Sequence, residues 1–278
     1  MGLPTTVPEL DVAGLTEWAG TAEALGFASL GVLDRLVYEN VEPVVALAAA
    51  ASVTARIDLA ATVLIAPYRR DVAVLAKQLA SVALLSDGRL TVGVSAGLRQ
   101  DDYAVDGASY GDRGRRLDAQ IDALRRLWSG SAEGVGPRTG GATPSIVVGG
   151  NSDAALRRAA RLGDGWVAGS GTPAQFSDNV ATLRSYWAEE RRVGSPRTRA
   201  LVFYALGEHG PELAEAHLHR YYGFLGPHAE VMAAKAVTDP ERLRDVIAAY
   251  GDAGCAELVF FPCSGDPRQL ELLAKAAL

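Results

Sequence analysis

The stretch IDLAATVLIAPYRRDVAVLAKQLASVALLSDGRLTVGVSAG, residues 57–97, contains two apolar runs with an amphipathic segment between them. The first run, residues 57–65, is nearly all apolar and is followed by Pro67, and the second covers residues 89–94. Between them, residues 71–85 have apolar side chains at helical spacing. Strands that are apolar on both faces are typical of parallel sheets covered by helices. This stretch therefore predicts a strand–helix–strand unit with parallel strands.

The same alternation continues on both sides of residues 57–97. Apolar runs predict seven strands, at residues 27–33, 57–65, 89–94, 144–148, 166–168, 199–206 and 257–261. Helical periodicity and helix-starting prolines predict helices at residues 15–25, 43–53, 71–85, 113–128, 153–162, 173–192, 240–250 and 267–277. Residues 211–236 are predicted to be mostly helical, with a break near Gly226-Pro227.

With a possible eighth strand at residues 1–4, these units predict an α/β fold with one domain, a (β/α)8 TIM barrel over residues 1–278. An open doubly wound sheet is the competing architecture. The GxGxxG sequence that usually follows the first strand of such a sheet is absent. The most irregular segment, residues 129–143, is rich in glycine and is predicted to be an exposed loop.

Composition excludes several classes of protein. The net charge is −6 and no run rich in Lys or Arg is present, so we expect no general nucleic-acid binding. The longest apolar run, residues 44–51, is too short to cross a membrane, and no basic signal-peptide start is visible. The chain has two cysteines, Cys255 and Cys263, which are too few for a disulfide framework. The four histidines lack metal-ligand spacing and are predicted to lie in loops or on the surface. We expect a cytoplasmic protein without a metal site.

Binding and catalytic groups of such a barrel lie at the carboxyl ends of its strands. Three loops of small residues follow predicted strands, at residues 95–97, 149–152 and 169–172. Backbone N–H groups in such loops, together with the helix N-termini behind them, favour a phosphorylated or polyanionic ligand. No nucleophile elbow, HExxH sequence or Walker loop is present, which indicates that a cofactor supplies the chemistry.

Four parts of the chain resemble the luciferase-like monooxygenase superfamily: residues 63–97, DRGRRLDAQIDALRRLW at 112–128, PSIVVGGNSDAALRRAARLGDGWV at 144–167, and residues 238–261. The resemblance implies a (β/α)8 barrel that binds FMN or the deazaflavin coenzyme F-420 and acts as an oxidoreductase. It also implies that the first strand is truncated. In relatives a longer segment helps to wall the pocket at the place of residues 129–143, so this wall is expected to be short.

The resemblance places Asp34 near the cofactor ring as the candidate catalytic residue. Deazaflavin-using relatives have an Asp-His pair there, whereas this chain has Asp34-Arg35 and lacks the histidine. Asp34 could instead cap a helix or form an ion pair with Arg35. Thr62 and Val63 match a bulged and often cis peptide that presses on the face of the ring, with a plain buried strand as the alternative.

Ser95, Ala96 and Gly97 match a loop beside the ring and the phosphate. In bacterial luciferase, an arginine that binds the FMN phosphate takes the position of Ala96, and a reactive cysteine takes that of Ser95. Relatives of the deazaflavin-dependent glucose-6-phosphate dehydrogenase type have a glutamate at the position of Leu98 and a lysine at that of Thr172. This chain has none of these four residues.

Two further loops match cofactor contacts to the ribityl or phosphate part, the first more strongly than the second: Gly149, Gly150, Asn151 and Ser152, then Gly169 and Ser170. The alternative for each loop is an ordinary strand-to-helix turn with a helix cap.

The favoured function is a deazaflavin (coenzyme F-420)-dependent oxidoreductase that transfers a hydride to or from a small organic substrate. Ala96, in place of the phosphate-binding arginine, disfavours FMN. The alternatives are an FMN-dependent two-component monooxygenase, which would need a reductase partner, and a cofactor-binding protein without turnover. A homodimer is expected, because residues 46–51 and 72–85 form small, apolar helix faces.

Overall fold

The computed structural model describes residues 1–8, 10, 12–129, 135–137 and 143–278. Within these residues it has one parallel sheet, in which every strand pairs with the next one along the chain. The strands are β1 (Ser29–Val32), β2 (Asp58–Ile65), β3 (Leu90–Ser95), β4 (Ser145–Gly149), β5 (Gly165–Val167), β6 (Arg197–Tyr204) and β7 (Glu257–Pro262). The predicted TIM-barrel architecture is confirmed. Most of segment 129–143 lies outside the described residues, so its predicted role in the pocket wall stays a prediction.

The first three residues join the two edges of this sheet. Gly2 forms a parallel bridge with Gly31 of β1, and the Gly31 N–H donates to the Met1 carbonyl at 2.7 Å. On its other side, the Gly2 N–H donates to the carbonyl of Phe260 in β7, also at 2.7 Å. The predicted truncated first strand is therefore a short stub between β1 and β7, which completes the barrel.

The helices are α1 (Val12–Ala24), α2 (Pro43–Val53), α3 (Val72–Leu85), α4 (Gln100–Asp106), α5 (Arg113–Trp128), α6 (Asp153–Leu162), α7 (Pro173–Glu189), α8 (Gly210–Tyr222), α9 (His228–Ala233), α10 (Pro240–Asp252) and α11 (Arg268–Ala277). The prediction that residues 211–236 are mostly helical, with a break near Gly226-Pro227, is confirmed. That segment is α8, a single 3-10 turn (Gly223–Leu225) and α9, because Gly226 has a φ of 56° and Pro227 follows it. The sequence analysis missed α4.

Helix α8 lies over the end of the barrel at which the strands finish. Its residues Ala214, Leu218 and Tyr221 share an apolar cluster with Phe203 of β6 and Phe261 of β7. Phe261 points into the barrel, where β-carbons placed on Gly2 of the stub and on Gly31 of β1 would both meet its ring, the latter at 3.2 Å. The segment from α8 to α9, which we call the cap (residues 210–233), therefore covers part of the barrel mouth.

No helix in the described part of the chain combines the length and the apolarity that a membrane span requires.

Candidate active site

Strand β2 is irregular where the sequence predicts it. The pairing register with β3 shifts between Ala61 and Leu64, and the Thr62–Val63 peptide bond is cis, as predicted. The Thr62 hydroxyl donates to the carbonyl of Val32 in β1 at 3.0 Å. This side chain therefore connects the irregular turn of β2 to the neighbouring strand.

Val63 faces two glycines on the neighbouring strands. A β-carbon placed on Gly93 of β3 would lie 2.8 Å from Cγ1 of Val63, and one placed on Gly149 of β4 would lie 3.0 Å from the same atom. The β-carbon placed on Gly149 would also lie 3.4 Å from the β-carbon of Ser95. The structure thus brings Val63, Ser95 and Gly149 together. Because the two glycines have no side chains, they leave the room that Val63 occupies.

The loop after β3 is held by hydrogen bonds to its own carbonyls. The Tyr103 hydroxyl donates to the Ala96 carbonyl at 2.6 Å, and Nε of Arg113 donates to the Gly97 carbonyl at 3.2 Å. The Ser95 hydroxyl oxygen accepts a hydrogen bond from the Gly97 N–H at 3.3 Å. Gly97 has a φ of 66°, which suits glycine. This loop presents a methyl group at Ala96 and a hydroxyl at Ser95.

Asn151 connects the two candidate phosphate loops. Its Nδ2 donates to the Ser170 carbonyl at 3.1 Å, and its Oδ1 accepts from the Gly169 N–H at 3.0 Å. In the first loop, the Gly150 N–H donates to the Val167 carbonyl at 3.1 Å. The residues predicted from β4 and β5 therefore form one surface, although they are separated by about twenty positions in the sequence.

The N-terminus of α6 has free backbone donors. Ser152 is the cap, since its hydroxyl accepts from the Ala155 N–H at 3.3 Å. The backbone N–H groups of residues 151–154 have no acceptor among the described residues. The nearby Asp153 carboxylate is engaged by the Tyr186 hydroxyl and by Arg157, and these two hydrogen bonds lower its pKa. Asp153 is therefore ionised, but Arg157 balances its charge, so the free N–H groups of this helix end can still accept a phosphate.

The N-terminus of α7 has fewer free backbone donors than that of α6. Thr172 and Gln175 form a reciprocal capping box, and Pro173 has no N–H group. Of the two helix ends at this surface, α6 is therefore the better anion site.

Asp34 lies at the end of β1 and is buried. Its Oδ2 accepts from the Ile65 N–H at 2.7 Å, and Oδ1 lies 3.3 Å from Nη2 of Arg69. Burial raises the pKa of this carboxyl, and the Arg69 charge partly opposes that effect. The hydroxyl of Tyr68 is also buried near Asp34, and burial and the Asp34 charge raise its pKa. Asp34 holds the backbone two residues beyond Val63, so it is placed to position β2.

Arg35 is paired with Asp102, not with Asp34. Nε of Arg35 lies 4.0 Å from Oδ2 of Asp102, and Nε of Arg99 lies 3.8 Å from the same oxygen. Oδ1 of Asp102 accepts hydrogen bonds from the N–H groups of Leu36 and Val37, at 3.1 and 2.7 Å. This buried carboxylate thus connects α4 to the loop that follows β1.

The two arginines also hold the cap in place. The Arg35 guanidinium packs on the rings of Tyr38, Tyr221 and Phe224, at 4.9, 5.0 and 5.3 Å from their centroids. Arg99 lies 4.0 Å from the centroid of Phe224. In place of the histidine of deazaflavin-using relatives, this chain has an arginine that attaches the cap to the mouth of the barrel.

The sequence analysis missed two features of the mouth. The cluster of Asp102 and the two arginines depends on contacts between distant segments, for which the sequence has no local signal. His217 is buried, so the prediction that all four histidines lie in loops or on the surface is wrong for this one. A signal for it exists: Ala214, His217, Leu218 and Tyr221 follow the helical spacing of a buried stripe.

The model of the family described as luciferase-like monooxygenase matches residues 2–270 of the chain. An uncharacterized protein of Mycobacterium tuberculosis is 33% identical over 200 residues, 60% of this chain and 68% of that protein. The F420-dependent glucose-6-phosphate dehydrogenase of Kribbella flavida is 31% identical over 193 residues, 62% of this chain and 57% of that enzyme.

Two solved structures share the fold over almost the whole chain. The monooxygenase RslO1 from Streptomyces bottropensis superimposes with a TM-score of 0.83 at 23% identity, covering 100% of this chain and 97% of that one. An F420-dependent secondary alcohol dehydrogenase in complex with an F420-acetone adduct has a TM-score of 0.81 at 17% identity, covering 99% and 97%. At these identities the likeness establishes the fold.

Proposed function

Because this chain belongs to the luciferase-like monooxygenase family, a family of oxidoreductases, we propose that it is a deazaflavin-dependent oxidoreductase acting on a small organic substrate. The observation that carries the proposal is an anion site made of neutral backbone N–H groups at the start of α6, beside a glycine-lined wall. The curated relative from Kribbella flavida, named as F420-dependent, supports it.

The residues at the barrel mouth fit such a coenzyme. Val63 is partly exposed and fills the space beside Gly149, so its side chain would meet one face of a flat ring. The N–H groups of residues 151–154 would hold the phosphate. When bound, the coenzyme supplies a ring that takes up or releases a hydride. The protein binds one face of that ring, orients it and covers the mouth with the cap.

The charge on the phosphate group itself favours the deazaflavin coenzyme over FMN. The phosphate of coenzyme F-420 is a diester with a single negative charge, whereas FMN ends in a phosphate monoester of nearly two charges at neutral pH. At the position where bacterial luciferase has its phosphate-binding arginine, this chain has Ala96, whose side chain is a methyl group. A site that depends on backbone N–H groups suits the smaller charge better, since strong phosphate contacts usually include a charged donor.

A comparative titration tests the proposal. We expect fluorescence quenching to give a Kd for coenzyme F-420 at least tenfold below the Kd for FMN. A tenfold difference corresponds to about 1.4 kcal/mol of binding free energy. Riboflavin serves as the control, because it measures the ring contribution without a phosphate. Equal or tighter binding of FMN would overturn the choice of coenzyme, and binding without turnover of any substrate would indicate a carrier. Net turnover would also require a second enzyme that regenerates the coenzyme.

Replacing Ser152 with aspartate should weaken coenzyme binding without unfolding the protein. Aspartate caps a helix as well as serine does. Its charge, however, would stand among the N–H groups that we assign to the phosphate, so we expect Kd to rise at least tenfold. Thr172→Asp makes the matched change at the cap of α7, where the capping box already uses two donors and Pro173 has none. It should change Kd by less than threefold, and equal effects of the two variants would contradict the assignment.

We also propose that the protein is a homodimer. Five large apolar side chains on α2 and α3 are exposed, Val45, Val53, Val74, Leu84 and Leu85, with between 43% and 61% of each accessible. Exposed apolar patches of this kind mark interaction surfaces. Light scattering at micromolar concentration should give twice the mass of one chain. The double variant Leu84→Glu, Leu85→Glu should halve that mass, and a monomeric wild-type protein would refute the proposal.

A further inference from the structure

A small cavity lies beside the loop that follows β5. Its volume is about 160 Å³, and its lining includes Ser170 and Gly171 of that loop and Phe203 of β6. Lys235, between α9 and α10, and Arg242 of α10 also line it. Sites that enclose a whole small ligand usually measure about 300–1,000 Å³. This cavity therefore suits one part of a ligand whose remainder binds outside it.

The two basic residues make this cavity positively charged. No acidic residue lines it, and neither Lys235 nor Arg242 forms an ion pair within the described part of the chain. Both residues are exposed, so an anion can reach them from solvent. A larger cavity of about 610 Å³, between α8 and α11, differs in this respect, because three carboxylates share its lining with the basic residues. Of these two cavities, the smaller one has the charges that suit an anionic ligand.

The cavity adjoins the surface that we assign to the coenzyme phosphate. Nδ2 of Asn151 donates to the Ser170 carbonyl at 3.1 Å, so the loop at the phosphate site contacts the loop that lines the cavity. The backbone N–H groups of Ser170 and Gly171 have no acceptor among the described residues. These two donors lie in the stretch that connects the phosphate surface to the cavity. An anionic chain that continues from the phosphate can therefore be bound without a gap.

Most of the remaining wall is apolar and consists of Val202, Phe203, Met232, Val237 and Val246. Such a wall suits methylene groups, whereas the two basic side chains suit carboxylates or phosphates. The combination favours a chain in which short apolar segments alternate with negative charges. A compact inorganic anion would leave the apolar wall without contacts, and a neutral apolar group would leave both charges unpaired.

We propose that this cavity binds the acidic tail of coenzyme F-420. Beyond its phosphate, the coenzyme continues into a chain of γ-linked glutamates, each of which adds two methylene groups and one carboxylate. The methylene groups pack on the apolar wall, and the carboxylates accept hydrogen bonds from Lys235 and Arg242. This inference rests on the proposed coenzyme and deepens it, because FMN has no corresponding tail.

The net charge of the chain gives the proposal a definite sign. Because the chain carries a net charge of −6, each added carboxylate should lower the affinity for the coenzyme unless a basic site receives the tail. We expect the coenzyme with the longer tail to bind more tightly, which is the opposite of the trend that overall charge alone would produce.

Fluorescence quenching at low ionic strength compares two forms of the coenzyme, one with several glutamates and one with none. We expect the Kd of the tailed form to be at least tenfold below the Kd of the form without glutamates. At about 0.5 M NaCl this difference should shrink to less than threefold, because salt screens exposed charges. Equal Kd values at low salt would overturn the proposal, and so would weaker binding of the tailed form.

Charge-matched variants locate the effect. The double variant Lys235→Gln, Arg242→Gln should bind both forms with Kd values within about threefold of each other, and its Kd for the form without glutamates should equal that of wild type. The control is Arg244→Gln, Lys275→Gln, which removes the same two charges from residues outside this cavity and should keep the full preference for the tailed form. All four residues are exposed, so each variant should have a Tm within about 2 °C of wild type. A Lys235→Gln, Arg242→Gln protein that retains the preference would refute the assignment.

These outcomes separate the inference from the proposed function. If both forms bind with the same Kd, the coenzyme assignment stands and the tail site is wrong. If neither form binds, the proposed coenzyme is wrong and the tail site is refuted with it. Thr172 also lines the cavity, so the Ser152→Asp and Thr172→Asp variants are compared with the form without glutamates, which reports on the phosphate alone.

Discussion

Replacing Asp102 with alanine should lower the free energy of unfolding by about 3–5 kcal/mol, the usual cost of removing one partner from a buried ion pair. Asp102 is 2% exposed and lies within 4.0 Å of Nε of both Arg35 and Arg99. Its other oxygen accepts the N–H groups of Leu36 and Val37. The variant would leave two cations close together and two backbone donors unpaired. Urea unfolding followed by circular dichroism gives the value.

Two control variants separate the causes. Asp102→Asn keeps an acceptor oxygen and removes the charge, so it should lose less stability than Asp102→Ala. Asp101→Ala removes the neighbouring carboxylate, which pairs with Arg99 but is 44% exposed, and should cost about 1 kcal/mol or less. If Asp102→Ala were as mild as Asp101→Ala, the buried cluster would not hold the mouth together.

The buried cluster of Asp102, Arg35 and Arg99 keeps the cap attached to the mouth of the barrel, which matters for function. The Arg35 guanidinium touches rings from both the β1 loop and the cap, and its Nη1 donates to the Tyr221 carbonyl at 3.0 Å. Loss of Asp102 removes the charge that balances this arginine. The cap would then open more readily, because its rings would rest on an unpaired buried cation.

Sequence reasoning reached the elements that have local signals. Residues 57–97 have strand and helix periods that are plain in the sequence, and the structure has β2, α3 and β3 there. The loops at residues 149–152 and 169–170 could be paired because parallel strands end at the same edge. The cis bond at Thr62–Val63 came from family resemblance, since its residues have no intrinsic preference for it.

Most of the features that sequence reasoning missed depend on contacts between residues that are far apart in the chain. Arg35, Asp102 and Tyr221 are up to 186 positions apart, so no periodicity reveals their contact. Helix α4 has only seven residues, too few for a period to stand out beside the loop that precedes it. The burial of His217 follows a helical stripe, but a stripe alone does not say that a helix covers a barrel mouth. Tertiary contacts settle each of these cases.

Replacing Gly93 with alanine should cost about 3 kcal/mol of unfolding free energy, at the upper end of the range for overpacked sites. An added β-carbon would overlap the Ala61 carbonyl oxygen and would lie 2.8 Å from Cγ1 of Val63. A backbone carbonyl inside a paired strand cannot move aside cheaply. At Gly149, the added carbon would meet side chains alone, the two methyl groups of Val63 at 3.0 and 3.1 Å and Cβ of Ser95 at 3.4 Å, so Gly149→Ala should cost less. Gly20→Ala is the control: nothing lies within 4 Å of its added carbon inside α1, and it should gain about 0.5–1 kcal/mol. Urea denaturation should therefore give the highest free energy of unfolding for Gly20→Ala, a lower value for Gly149→Ala and the lowest for Gly93→Ala.

The two barrel variants should also bind coenzyme F-420 more weakly than wild type, Gly93→Ala the most weakly, because each moves Val63 from the wall that we assign to the ring. A Gly93→Ala protein as stable as wild type would show that β2 has room to shift, and the glycine-lined wall would then not be a fixed surface for a ligand.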